Sequence, residues 1–186
     1  MEGILSSHKH QHERHDHHHH NQTAVPIKAA ILTMSDKGSR GEREDKSGQV
    51  IREILEGIGA DITLYDVIPD EKDIIIERLN KWKDKVNLIL TTGGTGVAPR
   101  DVTPEATRAV IEKELPGYAE AMRMESLRFT PRAMGTRAVA GVAGQCLIVN
   151  LPGSPKAVEE CLRVILPAIP HTIEVIQGKV DECARK

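Results

Sequence analysis

Residues 86–101 read VNLILTTGGTGVAPRD. Val86 and Leu88 to Leu90 form a near-continuous apolar run of strand length, the pattern of a strand buried on both faces. Directly behind it, Gly93, Gly94 and Gly96 fill three of four positions. Glycine permits φ > 0 and close backbone approach to an anion, and Thr92 and Thr95 place hydroxyls beside it. Thr103-Pro104-Glu105 then announces a helix: a capping hydroxyl, a proline in the first turn and a carboxylate at the positive end. Strand, glycine turn and helix together predict a βα unit whose turn cradles a phosphate. The spacing is neither GxxxxGK[ST] nor GxGxxG, so the ATPase P-loop and the dinucleotide fingerprint are excluded.

The same alternation extends in both directions. Upstream, residues 27–34 (IKAAILTM) predict a buried strand, followed by a polar loop through Gly38, Gly41 and Asp45. Val50, Ile51, Ile54, Leu55 and Ile58 then recur at helical spacing up to Gly59. Residues 60–68 predict a second strand, and Asp70 stands at the N-cap of a charged helix running to about Lys85. Downstream, the helix opened by Thr103 is expected to reach about Lys113, and a second helix follows Pro116-Gly117. Residues 137–142 and 145–150, separated by Ala143-Gly144, predict a hairpin. Leu151-Pro152-Gly153 closes it, and Ser154-Pro155 repeats the cap-plus-proline signal before a helix carrying Val158, Cys161, Leu162 and Ile165 on one face. The pattern predicts an α/β fold of three layers, α/β/α, with a mostly parallel sheet and an antiparallel hairpin element. In such sheets ligands bind outside the carboxyl ends of the strands, so loops 35–46, 91–103 and 151–154 should converge.

A chain of 186 residues suits one domain. Residues 1–26 differ in kind, with eight histidines between His8 and His20 and almost no apolar periodicity. They form a His-rich tail expected to be disordered. It is either a transition-metal-binding segment, with His17, His18, His19 and His20 as ligands, or a solvated extension. Residues 27–178 form the predicted domain and 179–186 a C-terminal tail. No apolar stretch is long enough for a membrane span and no secretory signal is legible, so a cytoplasmic location is expected. Aromatic residues are 2% of the chain, which leaves no stacking platform for nucleic-acid bases. Net charge is −2, so an anionic ligand must be held by local devices rather than by a global field. Cys146, Cys161 and Cys183 lack CxxC spacing and read as reduced thiols, the first two as core.

Within the predicted site, Asp70 and Asp101 both fall at strand exits. Two carboxylates beside phosphates point to Mg²⁺, although Asp70 also reads as a helix cap and Asp101 as a turn residue. Ser35, Asp36 and Asp45 are weaker candidates in the first loop. Arg100, Arg108, Arg123, Arg128, Arg132 and Arg137 form a local excess of arginine able to supply counter-charges to a phosphorylated substrate.

The strings TTGGTG, RDVTPEAT, LPGSPKAVEECL, SDKGSRGEREDKSG and VIPDE resemble the MogA/MoaB family of molybdenum-cofactor biosynthesis proteins, over about residues 27–178. The domain is also similar to the molybdopterin-binding G domains of fusion proteins such as gephyrin. The resemblance implies the molybdopterin-binding domain fold and an adenylyltransferase joining molybdopterin to Mg-ATP with release of pyrophosphate. It implies essential roles for Asp70 and Asp101. The pterin phosphate is expected near Gly93, Gly94, Thr95 and Gly96 and near Pro152, Gly153 and Ser154, with Ser35 and Thr92 beside them. A homotrimer is implied, a hexamer being the alternative, with the molybdate-insertion enzyme of the pathway as a further partner. Thr136 stands where many members carry serine. Two other readings stay open: a molybdopterin-binding module without catalysis, as in some MoaB-like members, and a metal-handling protein using its His-rich tail.

Overall fold

A computed structural model describes residues 25–179. Strand β1 (Lys28–Met34) is followed by a single-turn helix α1 (Asp36–Ser39), α2 (Lys46–Gly57), β2 (Asp61–Ile68), α3 (Lys72–Trp82) and β3 (Leu88–Thr92). The second half comprises α4 (Thr103–Arg108), β4 (Lys113–Glu114), α5 (Pro116–Leu127), β5 (Ala140–Ala143), β6 (Cys146–Leu151), α6 (Pro155–Ile165) and α7 (Ile169–Ile176). The six strands form one sheet in the order β2-β1-β3-β6-β5-β4. β1 pairs in parallel with β2 and β3, and β3 with β6, whereas β5 runs antiparallel to β6 and to β4.

Alternation along the central strands sorts the core into two layers. Ile31, Leu90 and Val149 face the layer formed with Ile51 and Leu55 of α2 and Val158 and Leu162 of α6. Leu32, Ile89 and Ile148 face the opposite layer, which holds Ile75, Leu79 and Trp82 of α3 and Ala106 of α4. These side chains are at most 5% exposed. Full burial of a leucine such as Leu90 contributes about 1.5–3 kcal/mol. The three-layer, mostly parallel architecture agrees with the sequence reading, and its parallel strands all end at one edge. Among the described residues no helix is long and apolar enough to cross a membrane.

Several local expectations are corrected. The polar loop after β1 contains α1, nucleated when the Ser35 hydroxyl accepts the Gly38 N–H at 3.0 Å. Asp70 is not a helix cap: α3 begins after Glu71, and the Asp70 carboxylate accepts from the backbone of Asp36 instead. The helix from Thr103 stops at Arg108, because Glu112 and the residues after it turn back to pair with β5. Thr103 lies inside that helix rather than capping it. The hairpin is shorter than expected, with β5 starting at Ala140 and the turn at Gly144, whose φ is +59°.

Candidate active site

A cleft of 660 Å³ opens at the carboxyl ends of β1, β3 and β6. Its walls include Ser35, Asp36 and Asp45 of the first loop, Asp70 after β2, Thr92, Gly93, Gly94 and Asp101 after β3, and Gly153 after β6. The three loops therefore converge, as the topology requires of a parallel sheet. Thr95, Gly96 and Pro152 line a neighbouring, more apolar cleft of 360 Å³ with Val97, Met122 and Thr136. Ser154 occupies the N-cap of α6 without a side-chain cap bond. The segment carrying His17, His18, His19 and His20 lies outside the described residues.

The glycine turn is shaped by close contacts. Gly93 and Gly94 adopt φ of +94° and +63°, conformations that side chains rarely tolerate. A Cβ on Gly93 would stand 2.3 Å from the Met34 carbonyl oxygen, and one on Gly94 would stand 2.5 Å from Thr103 Oγ1 and 3.0 Å from Asp70 Oδ1. Thr103 Oγ1 donates to the Gly93 carbonyl at 2.9 Å and the Thr103 N–H donates to the Gly94 carbonyl at 3.1 Å. The carbonyls are thus turned toward α4. Among the described residues the amides of Gly94, Thr95 and Gly96 have no hydrogen-bond acceptor. Successive backbone amides without an internal acceptor are the kind of donors to which an anion can bind.

Two carboxylates border this turn. Asp70 Oδ2 accepts from Asp36 N at 3.0 Å, and Asp36 Oδ1 accepts from Asp70 N at 3.1 Å. Burial holds the Asp70 carboxyl above its ordinary pKa, with the charges of Asp36 and Asp101 adding to the rise. Asp36 moves the other way, because the Arg100 guanidinium hydrogen-bonds its carboxylate. Arg100 also reaches Glu71 at 2.7 Å, so it ties α1 to the start of α3. Asp101 Oδ2 accepts from Ala98 N at 2.8 Å and would lie 2.8 Å from a Cβ at Gly96. Asp70 and Asp101 therefore stand against glycines two positions apart.

The remaining wall is held by Asp45 and Thr92, which the sequence singles out, and by Ser47, Tyr65 and Asn150, which it does not. Asp45 caps α2 through Gly48 N at 2.9 Å while accepting from the hydroxyls of Thr33 and Tyr65. Thr92 Oγ1 donates to the Pro152 carbonyl at 2.6 Å and Ser47 Oγ to the Gly153 carbonyl at 2.8 Å, fixing the loop after β6. Buried Asn150 donates to Thr91 Oγ1 at 2.9 Å and Thr107 Oγ1 at 2.8 Å, joining β6, β3 and α4 beneath the site. Its place at the end of an apolar strand was the available signal, since a fully buried amide needs partners. Of the six arginines, Arg100, Arg108, Arg128 and Arg137 are ion-paired within the protein. Cys146 and Cys161 are buried in the two core layers, in agreement with the sequence reading.

Residues 30–171 match the family described as "Probable molybdopterin binding domain". The chain is 45% identical over 164 residues to a molybdopterin adenylyltransferase of Helicobacter pylori, covering 86% of this chain and 93% of the relative. It is 38% identical over 176 residues to the molybdopterin adenylyltransferase of Escherichia coli, covering 85% and 89%. Among solved structures, the molybdopterin biosynthesis enzyme MoaB of Thermus thermophilus superposes with a TM-score of 0.78 at 49% identity, over 84% of this chain and 99% of that one. Glycine turn, carboxylate pair and fold thus coincide with a family match spanning most of the domain. The chain belongs to the MogA/MoaB family of molybdenum-cofactor biosynthesis proteins.

Proposed function

We propose that the protein is a molybdopterin adenylyltransferase. The observation that carries this reading is the placement of Asp70 and Asp101 against Gly94 and Gly96 of one phosphate-binding turn. In the reaction the terminal phosphate oxygen of molybdopterin forms a bond to the α-phosphorus of ATP, and the α–β phosphoanhydride bond breaks. The products are adenylyl-molybdopterin and pyrophosphate. The attacking phosphate is already ionised at neutral pH, so no general base is required. The task of the protein is to hold two polyanions in line and to neutralise charge on the leaving pyrophosphate.

The amides of Gly94, Thr95 and Gly96 offer donors to a phosphate, and Gly153 of the loop Pro152-Gly153-Ser154 packs against the same turn, where an added Cβ would stand 3.4 Å from Gly93 Cα. The donor set fits Mg²⁺ rather than a metal caged by protein. Among the described residues no group of three acidic, histidine or cysteine side chains could hold an ion alone. Mg²⁺ characteristically takes one or two carboxylates and completes its shell with water and substrate phosphates. Asp70 and Asp101 would hold it, and it would supply charge neutralisation at the phosphates.

A homotrimer is the proposed assembly, with a hexamer as the alternative, in a cytoplasmic setting beside a molybdate-insertion enzyme. Exposed Val97, Met124, Phe129 and Met134, on the segments that border the apolar cleft, give such an assembly surface to cover. The competing reading is binding of molybdopterin without turnover, supported by the likeness to MoaB. Incubating purified protein with molybdopterin, ATP and Mg²⁺ and following pyrophosphate release decides between them. Stoichiometric binding with no pyrophosphate would overturn the adenylyltransferase reading.

A further inference from the structure

Arg137 carries the sequence signature of a substrate counter-charge, yet its guanidinium points elsewhere. Nε donates to the Gly96 carbonyl at 2.6 Å, Nη2 donates to the Asp101 carbonyl at 2.6 Å, and Nη1 pairs with Glu105 in the first turn of α4. The Arg137 backbone N–H donates to the Thr95 carbonyl at 2.9 Å. One residue from the segment after the 3-10 turn Pro131–Gly135 thus grips both ends of residues 95–101 and the helix that follows. Those residues separate the two clefts: Thr95 and Gly96 line one, while Asp101 lines the other. The other described supports of the segment are the Ala98 N–H to Asp101 Oδ2 and Asp101 N–H to Ala98 carbonyl bonds and the exposed Arg100 guanidinium, which pairs with Asp36 and Glu71 but touches neither Gly96 nor Asp101. Val97 at its tip is 78% exposed and supplies no packing.

We infer that Arg137 is a positioning residue that sets Asp101 and the glycine turn by clasping the Gly96 and Asp101 carbonyls with one planar guanidinium. The chemistry requires arginine. Two carbonyls and a carboxylate approached from three sides match the fixed fork of a guanidinium, and a lysine ammonium is a point donor that cannot span them. Removing the fork leaves two partly buried carbonyls without their charged donor and frees the segment to move. Asp101 is then displaced although its own side chain is intact. An error of about 1 Å at a site that works by alignment lowers turnover by about 100-fold.

The kinetic consequence rests on the adenylyltransferase reading; the clasp does not. The test therefore has two arms, each run on the full chain, Arg137→Lys and Arg137→Ala. In hydrogen exchange, the Ala98 and Asp101 amides should exchange about tenfold to 100-fold faster in Arg137→Ala, which matches the loss of hydrogen bonds to a charged group. Unchanged exchange there would overturn the clasp. In turnover, kcat should fall about 100-fold in Arg137→Ala, with KM for ATP changed less than about threefold, and millimolar guanidinium should restore part of the loss. Arg137→Lys should lie between the two and should not respond to guanidinium. A raised KM with normal kcat would make Arg137 a substrate ligand and overturn the inference, as would faster exchange without any kinetic loss. If the wild-type chain gives no pyrophosphate, the proposed function fails and the exchange arm alone decides the clasp.

Discussion

Asp36 and Asp70 exchange backbone-to-carboxylate hydrogen bonds at 3.0 and 3.1 Å, 34 positions apart in the chain. This reciprocal pair joins the one-turn helix after β1 to the residue entering α3. It leaves Asp70 Oδ1 directed at the glycine turn, near where a Gly94 side chain would be. The pair also sets up an opposition between function and stability, because burial and the Asp36 charge both disfavour ionised Asp70.

Replacing Asp70 by asparagine should abolish adenylylation, by about 100-fold or more, without lowering the melting temperature at pH 7. The sign follows from linkage. A carboxylate whose folded pKa is raised makes the folded state bind more protons than the unfolded one, so stability falls as pH rises from the unfolded value through the folded one. At pH 7 the whole penalty is present, and Asp70→Asn removes it while its amide oxygen can still accept from Asp36. Below the unfolded carboxylate range, near pH 3.5, the difference between variant and wild type should vanish. A melting temperature clearly lower than wild type at pH 7 would contradict this account.

Asp101→Asn isolates charge in another way. Its side-chain oxygen can keep the bond from Ala98 N–H, now 2.8 Å, so the turn persists while the negative charge is lost. Adenylylation should disappear while molybdopterin binding, followed by fluorescence of the pterin, remains within about threefold of wild type. Normal turnover would remove Asp101 from the proposed site.

The glycine turn admits a sterically defined change. Gly94→Ala forces a side chain into φ +63° and against Thr103 Oγ1 and Asp70 Oδ1. The conformational term alone costs about 1–2 kcal/mol, to be read from urea denaturation midpoints. Turnover should fall further than stability explains, since the methyl group displaces Asp70. Gly117→Ala, where nothing lies within 4 Å of the added Cβ, serves as the control and should be neutral or slightly stabilising.

How much of this is legible in the sequence depends on whether a residue's surroundings lie nearby in the chain. β1, β3 and β6 were readable because burial on both faces demands uninterrupted apolar residues, and their exits located the cleft. α1 was not, since four residues with an internal glycine have no helical periodicity and depend on the Ser35 cap and the contact with Asp70. β4 is two exposed residues, strand only through pairing with β5. In the sequence Arg137 shows only its charge, because its partners lie 32 to 41 positions away and leave no local signal. Asp70 resembled a cap because aspartate before a helix usually is one; a tertiary hydrogen bond took its place.

The thiols provide a check on the packing of both core layers. Burial pushes Cys146 up to about 12 and raises Cys161 as well. Neither should form an appreciable thiolate at pH 8, and both are shielded by side chains of the core. In native protein, a thiol-specific reagent followed by peptide mass mapping should leave Cys146 and Cys161 unmodified for hours, whereas both should react at once in denaturant. Rapid native modification of Cys161 would show that the α5–α6 side of the apolar cleft opens far more readily than its part-buried contact with Ser126 implies.

The histidines before the domain are expected to act independently of the cleft. β1 enters the sheet at Lys28 and delivers its far end, Met34, to the site, so the chain joins the domain at the pole opposite the glycine turn, about 20 Å away at 3.3 Å per strand residue. Eight closely spaced imidazoles are competent ligands for nickel, zinc or copper. Deleting residues 1–24 should therefore leave turnover with Mg²⁺ unchanged within about twofold and remove high-affinity Ni²⁺ uptake measured by calorimetry. Lost turnover in the truncated chain would instead tie the tail to the reaction, and Ni²⁺ uptake that survives truncation would place the metal site within the domain.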